Sequence, residues 1–362
     1  MRKGLCEISN PKQWKTISTE MLTPNGYPVY GANGIIGYFS DYNHTEETLL
    51  ITCRGATCGS LNICEPYSYV NGNAMAIDNL SEEVDLKYLY YYLLNRGLDD
   101  VITGSAQPQI VRQSLTKVYV EYPELNEQKE IVFSLNKVEQ LIFLRKQQLS
   151  KLDEFVKSRF IELFGDPAIN EKGWIIRNLE NVTTVVTYGL TVRPEYIAEG
   201  IDLVSAKELH KGFIDYNAAP KISENDFEKL SEKAKPQKND ILFSKTGSIG
   251  HCALVTDDKP FAITQNAARI GLKSETVNPL WLLYYLRMDY IQDWCKEHAK
   301  GNAVKDFQLQ DMKVIPLFDC PLELQNQFTA FIEQTDKSKF EIQKSLNQLE
   351  TLKKALMQKY FG

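Results

Sequence analysis

Residues 125–165 run Leu-Asn-Glu-Gln-Lys-Glu-Ile through to Glu-Leu-Phe-Gly, and residues 322–362 run Leu-Glu-Leu-Gln-Asn-Gln-Phe through to Lys-Tyr-Phe-Gly. Shifted by 197 positions, the two stretches align without a gap. Leu125, Gln128, Phe143, Leu149, Leu152, Lys157, Phe164 and Gly165 meet identical residues at Leu322, Gln325, Phe340, Leu346, Leu349, Lys354, Phe361 and Gly362. Eight identities in 41 ungapped positions mark an internal duplication, which decides how the rest of the chain is read.

The same shift carries the loop Gly104-Ser105-Ala106 onto Gly301-Asn302-Ala303. The stretches between repeat more loosely. Asn73-Ala74-Met75-Ala76-Ile77 resembles Asn266-Ala267-Ala268-Arg269-Ile270, and Tyr88–Leu93 resembles Trp281–Leu286. Cys53-Arg54, five residues before Gly59, resembles Ser244-Lys245 before Gly250, each after an apolar run of strand character. Trp14 and Trp174 are expected to open the two copies, with roughly thirty extra residues in the second between its opening and that strand. The expected order is globule, helix, globule, helix: 1–123, 124–165, 166–321 and 322–362.

The helical stretches carry apolar residues at alternating steps of three and four. In the first these are Leu135, Val138, Ile142, Leu149, Leu152, Val156 and Leu163, interrupted by Arg145 and Arg159. In the second they are Ile332, Ile342, Leu346, Leu349, Leu356 and Tyr360, interrupted by Thr335, Lys339 and Lys353. A 3.5-residue period describes a coiled-coil seam. Each helix ends in Phe-Gly, and Asp166-Pro167 stops the first. An isolated amphipathic helix needs a partner, and the nearest is its own repeat. A pseudo-two-fold duplication requires that pair to run antiparallel. At 1.5 Å per residue, 135–163 spans about 43 Å, near the ~34–36 Å that separates DNA half-sites one helical turn apart. The fold class expected is α+β: two mixed α/β globules, separated and joined by two long antiparallel coiled-coil helices.

Composition bounds the function. The 362 residues are 43% hydrophobic and 24% charged, enough to bury a core and too much for a disordered chain. No run is long and apolar enough to cross a membrane, the first residues lack the apolar core of a signal peptide, and seven scattered cysteines argue against a disulfide framework. A cytoplasmic protein is expected. The net charge of −6 removes the usual footprint of a nucleic-acid binder. Residues 1–123 carry 9 basic against 13 acidic side chains, and 167–321 carry 19 against 21. Any DNA surface must therefore be local, or shared with a more basic partner.

Together these elements resemble one family, the DNA-specificity subunits of type I restriction-modification systems. The resemblance rests on Trp14–Ser18 followed by Gly26-Tyr27-Pro28-Val29-Tyr30-Gly31-Ala32-Asn33-Gly34, then Cys53–Gly59 and Asn71-Gly72-Asn73-Ala74. Lys238–Leu242, Gly247-Ser248-Ile249-Gly250 and Gln265-Asn266-Ala267 look like the same elements in the second half. Leu-x-x-Gln opening each helix and Phe164-Gly165-Asp166-Pro167 complete it, so that it covers essentially the whole chain. The resemblance implies a non-catalytic reader of double-stranded DNA. Each globule would be a target recognition domain for one half of a two-part sequence, with the helix pair as ruler. It implies docking of two adenine methyltransferase subunits, which bring S-adenosylmethionine. Restriction and translocase subunits would bring ATP and Mg, and no cofactor would belong to this chain.

The residues that could touch DNA are Arg54 and Lys245, at strand ends expected to match. A guanidinium or ammonium there would meet phosphate or guanine. Gln107, Gln109, Asn302 and Lys305 join them in the matched loops 104–110 and 301–307, with amides and an amine suited to base edges. Taken singly, each reads first as a solvated or turn-forming polar residue. Gly59/Gly250 and Asn73/Asn266 read as structural.

Other chemistries fit poorly. Cys53, Cys58 and Cys64 with His44 lack the paired Cys-x2-Cys of structural zinc sites, so no metal is expected. Gly31-x-x-Gly34-x-x-Gly37 is not a dinucleotide fingerprint, and no phosphate-binding Gly-Lys-Ser/Thr loop occurs. No Pro-Pro pair exists for an aminomethyltransferase loop, and His44, His210, His251 and His298 form no nucleophile-base pattern. No catalytic residue is expected. The competing class is a scaffold or adaptor that uses its coiled coil for protein assembly alone; a self-contained methyltransferase is remote.

Overall fold

Both repeated stretches are helical over forty residues, Leu125–Phe164 and Leu322–Phe361. The computed structural model describes residues 1–104, 107–192, 194–209, 213–302 and 304–362, so Ser105, Ala106, Ala303 and His210 lie outside the described residues. The chain divides into two compact units, 1–148 with 342–362 and 149–341. Each unit thus takes one globule and a part of each long helix.

Within each unit the helix halves run antiparallel. In the first, Lys353 Nζ lies 2.6 Å from Glu139 Oε1 and Lys146 Nζ lies 3.4 Å from Glu350 Oε1. In the second, Lys339 Nζ lies 2.5 Å from Asp153 Oδ1 and the Phe155 ring meets that of Phe331 at 5.1 Å. A rising number on one helix meets a falling number on the other in both cases.

The expected seam positions fall into two classes. Leu135, Val138, Val156 and Leu346 are buried, whereas Ile142, Leu149, Leu152, Ile342, Leu349 and Leu356 are half-buried. Two helices alone cover one stripe and leave its margins wet, while the helix ends meet a globule as a third wall. Phe160, Phe164, Phe328 and Ile332 accordingly join Trp281 and Tyr285 in the core of the second unit. Ile131, Val132, Leu135 and Met357 join Leu89 and Tyr91 in the core of the first.

The two globules repeat one topology. A four-stranded antiparallel sheet runs in the order Asn10–Gln13, Ala74–Asp78, Thr48–Thr52, Leu61–Cys64. Its counterpart runs Thr183–Tyr188, Ala267–Leu272, Ile241–Ser244, Cys252–Leu254. A three-stranded sheet with one parallel pair follows in each: Gly34–Phe39, Tyr27–Gly31, Tyr69–Val70 and Lys221–Ile222, Ile201–Val204, Phe261–Ile263. A two-stranded ribbon closes each unit, Arg2–Gly4 with Tyr119–Glu121 and Ile176–Asn178 with Pro316–Phe318.

This register corrects the expected opening of the second copy. Ile176 pairs with Phe318 as Arg2 pairs with Glu121, so the repeat begins near Ile176 and Trp174 has no counterpart at Trp14. Trp174 instead donates its indole N–H to the Phe164 carbonyl at 2.8 Å, closing the helix end where Gly165 takes φ +82°. The extra length of the second copy lies between Val204 and Ile241, after its opening strands. A tryptophan after a polar stretch carries the same composition signal in either place, which is why the sequence misled.

The glutamine of Leu-x-x-Gln has a structural account. Gln128 is 0% exposed; its Oε1 accepts from Asp85 N at 2.9 Å, and its Nε2 donates to the carbonyls of Glu83 and Pro123 at 2.8 and 2.9 Å. Asp85 in turn caps the helix Leu86–Arg96 by accepting from Lys87 N and Tyr88 N. Gln325 repeats this. Its Oε1 accepts from Asn278 N at 2.8 Å, its Nε2 donates to Cys320 O at 3.0 Å, and Asn278 caps Pro279–Leu286. One buried amide therefore locks the start of each long helix to the start of the globule's own helix.

Candidate nucleic-acid interface

Backbone bonds fix how the two strand ends correspond. In the first unit Cys53 N donates to Asn73 O at 3.0 Å, Ile110 N donates to Cys53 O at 3.0 Å, and Gly55 N donates to Pro108 O at 3.2 Å. In the second, Lys245 N donates to Asn266 O at 3.0 Å, Phe307 N to Lys245 O at 2.7 Å, and Gly247 N to Lys305 O at 3.0 Å. Lys245 therefore occupies the place of Cys53, and Thr246 that of Arg54. The expected pairing of Arg54 with Lys245 is one residue out of register. The cause lies in the turn that follows. Gly59 N closes on Thr52 O, whereas Gly250 N closes on Ser244 O, a shorter loop, so counting back from the glycines slips the strand by one. A slip of one in extended chain turns a side chain to the opposite face.

The two faces differ accordingly. Cys53 is 0% exposed and Lys245 9%, both pointing inward. Gln13 Nε2 lies 2.9 Å from Cys53 Sγ, and burial pushes that thiol up from its ordinary value. At the equivalent strand position Tyr188 lies beneath the Lys245 ammonium, 5.9 Å from ring centroid to Nζ. Lys245 forms an ion pair with Asp306, and Thr246 Oγ1 donates to the same carboxylate at 2.6 Å. Desolvation works to raise the Asp306 carboxyl, but the hydrogen bonds from Lys245 and Thr246 outweigh it and hold the group below the usual range. Arg54 points outward and is exposed, and its guanidinium has no hydrogen-bond or ion-pair partner among the described residues.

Two segments distant in sequence meet the strand end that carries Arg54. The hairpin between Tyr27–Gly31 and Gly34–Phe39 turns at Ala32-Asn33, where Thr57 Oγ1 donates to Asn33 Oδ1 at 2.7 Å and the Thr52 hydroxyl donates to Ala32 O. The loop carrying Gln107 and Gln109, both exposed, bridges to Arg54 through Gln109 and closes on itself through Thr103. Its turn needs Gly104, at φ +85°, because a Cβ there would sit 2.5 Å from Gln107 O. Gly301, at φ +111°, meets Val304 O in the same way at 2.4 Å. That second loop is closed by Lys300 and Asp306 and bridges to Thr246, with Asn302 and Lys305 exposed on it. The structure thus brings Arg54, Gln107 and Gln109 together in the first unit and Asn302 and Lys305 in the second, while Lys245 lies beneath its loop.

Asn33 and Thr57 were missed in the sequence. Asn33-Gly34 between strand-like runs is a hairpin signal; the stretch carries the family resemblance, but nothing in it marks Asn33 as a side chain of this face. His44, weighed as a zinc ligand, has Nε2 3.0 Å from Asp78 Oδ1 and Nδ1 2.7 Å from Asn43 Oδ1. Among the described residues no three His, Cys, Asp or Glu side chains come together as a metal site. On the long helices, Phe143 and Phe340 are 59% and 68% exposed at matched positions.

Comparison with known proteins agrees with this architecture. The family described as "Type I restriction modification DNA specificity domain" matches residues 2–154 and again 197–351. The EcoBI specificity subunit of a type I restriction enzyme from Escherichia coli is 24% identical over 365 residues, covering 93% of this chain and 74% of its own length. The MjaIX specificity subunit of Methanocaldococcus jannaschii is 24% identical over 338 residues, covering 87% and 76%. Among solved structures, the S subunit of a type I restriction-modification system from M. genitalium superposes with a TM-score of 0.66 at 15% identity, over 100% of this chain and 96% of that one. A chain from a study of type I complex assembly and conformational transition gives 0.59 at 14% identity, over 100% and 97%. The duplicated strand-end platform, the paired forty-residue helices and the twice-matched family pattern lead to one conclusion: the chain belongs to the type I restriction-modification DNA specificity family.

Proposed function

We propose that each unit reads one half of a two-part DNA sequence through its strand-end and loop face. The observation that carries this reading is the repetition of one backbone-bonded platform under loops of different composition, Asn33, Arg54, Thr57, Gln107 and Gln109 in one and Thr246, Asn302 and Lys305 in the other. A constant scaffold under variable loops is what recognition of two unlike half-sites requires. The subunit is non-catalytic and acts in the cytoplasm. S-adenosylmethionine belongs to partner methyltransferase subunits, and ATP with Mg to partner restriction and translocase subunits. Two methyltransferase subunits dock on the long helices, a stoichiometry supported by Phe143 and Phe340, both exposed at matched positions.

The test is exchange of residues 170–320 for the matching stretch of another specificity subunit, co-expressed with methyltransferase subunits. Sequencing of modified DNA should show one half of the methylated sequence changed and the other kept. A methylated sequence indifferent to the exchange would refute the reading.

A further inference from the structure

The two strand ends share a scaffold but carry different side chains on it. Resting on the DNA-reading role above, we propose that Arg54 is a base-reading residue of the first unit, recognising a guanine, and that Lys245 is internal scaffolding with no part in recognition. Three features support Arg54. Its backbone neighbours are pinned on both sides by the bonds of Cys53 to Asn73 and Ile110 and of Gly55 to Pro108, so the guanidinium leaves a rigid base. The segments bonded to this strand end carry uncharged polar side chains: Gln107 and Gln109 on the loop that bridges to Arg54, and Asn33 bonded to Thr57. A phosphate-tracking surface needs several cations; a guanidinium next to amide-bearing segments suits a base edge. The guanidinium fork then presents two parallel donors, matching the O6 and N7 acceptors that guanine alone offers in the major groove.

The second unit carries the opposite arrangement. Lys245 is 9% exposed, and its ammonium is held by Asp306, which also takes the Thr246 hydroxyl. Drawing Lys245 out to DNA would leave that carboxylate without its counter-cation next to an incoming phosphate backbone. The outward position is Thr246, whose hydroxyl is already committed, so recognition in this unit falls to Asn302 and Lys305 on the loop above.

The experiment uses the full chain in complex with its methyltransferase subunits. Arg54→Ala is compared with the parent by sequencing of methylated DNA and by affinity across a salt series. In the half-site that persists when residues 170–320 are exchanged, one position should relax from guanine to any base. Affinity for the parent sequence should fall about tenfold to a hundredfold, and the slope of log affinity against log salt should stay unchanged. Arg54→Lys should recover affinity only in part, because a single point charge cannot fork. The double variant Lys245→Met with Asp306→Asn should alter melting while leaving the methylated sequence and the salt slope as they were. A salt slope reduced by about one with every base retained would make Arg54 a phosphate contact and overturn the proposal. So would an Arg54→Ala variant identical to the parent, or a changed base in the Lys245→Met, Asp306→Asn variant. A parent complex that methylates no defined sequence would instead refute the specificity role itself.

Discussion

Replacing Gln128 with Met keeps nearly the same volume in the first unit but removes the whole amide. Three backbone groups then lose their partner: the N–H of Asp85 and the carbonyls of Glu83 and Pro123. At a net contribution of about 1 kcal/mol per hydrogen bond, the loss is about 3 kcal/mol, more if the freed groups stay dry. Gln325→Met in the second unit removes two such bonds, to Asn278 N and Cys320 O, and should cost about 2 kcal/mol. Hydrogen exchange read by mass spectrometry follows the units separately, over residues 83–96 and 276–287. Protection from exchange should fall about a hundredfold in the first window for Gln128→Met and about thirtyfold in the second for Gln325→Met. Each variant should leave the other window within about threefold, as expected for distant sites. Exchange unchanged in the first variant, or a larger loss from Gln325→Met than from Gln128→Met, would refute the idea that this amide clasps helix to globule.

Two further outcomes follow from burial and charge. Leu346 is 5% exposed and Leu149 half-buried, so Leu346→Asp should destabilise the first unit by several kcal/mol, and Leu149→Asp should have a smaller effect on the second; urea unfolding of the two variants checks the order. Asp202 is buried between Lys221 and Lys259, each with Nζ 2.5 Å from one carboxylate oxygen. Desolvation alone would raise its pKa, but the two lysines outweigh it and the carboxyl lies below its usual range. The folded state therefore stays ionised where the unfolded chain has already taken up a proton. The stabilisation is complete above about pH 4 and is lost as pH falls through the lowered folded-state value. Melting temperature followed from pH 5 to pH 2.5 should fall less steeply in Asp202→Asn than in the parent; parallel curves would remove Asp202 from the acid response.

The long-range plan was legible because duplication writes it twice. An ungapped repeat with a 3.5-residue period needs no knowledge of tertiary contacts, and neither does a Phe-Gly helix end before Asp-Pro. The recurring Leu-x-x-Gln was visible as a pattern, although its function as a buried clasp depends on Asp85 and Asn278, which lie over forty residues upstream. The strand-end register was not legible. It is set by which carbonyls Cys53 and Lys245 meet across the sheet, and the different loop lengths before Gly59 and Gly250 mimic a match that is false by one residue. The face around Arg54 was only half visible for the same reason. Arg54, Gln107 and Gln109 stand out by residue type, but Asn33 is tied to Thr57, three residues beyond Arg54, by a hydroxyl bond that nothing in local sequence announces.

The division of the chain has a consequence for its synthesis. The second unit is one continuous stretch, 149–341, whereas the first needs 342–362 to complete it, with Met357 set among its buried core and the Phe361 ring 5.3 Å from that of Tyr88. On the ribosome the later-encoded unit can therefore finish folding before the earlier one, reversing the usual N-to-C order. Until residues 342–362 emerge, the nascent first unit must wait with an open apolar flank, and premature chain termination would cripple that unit while sparing its neighbour.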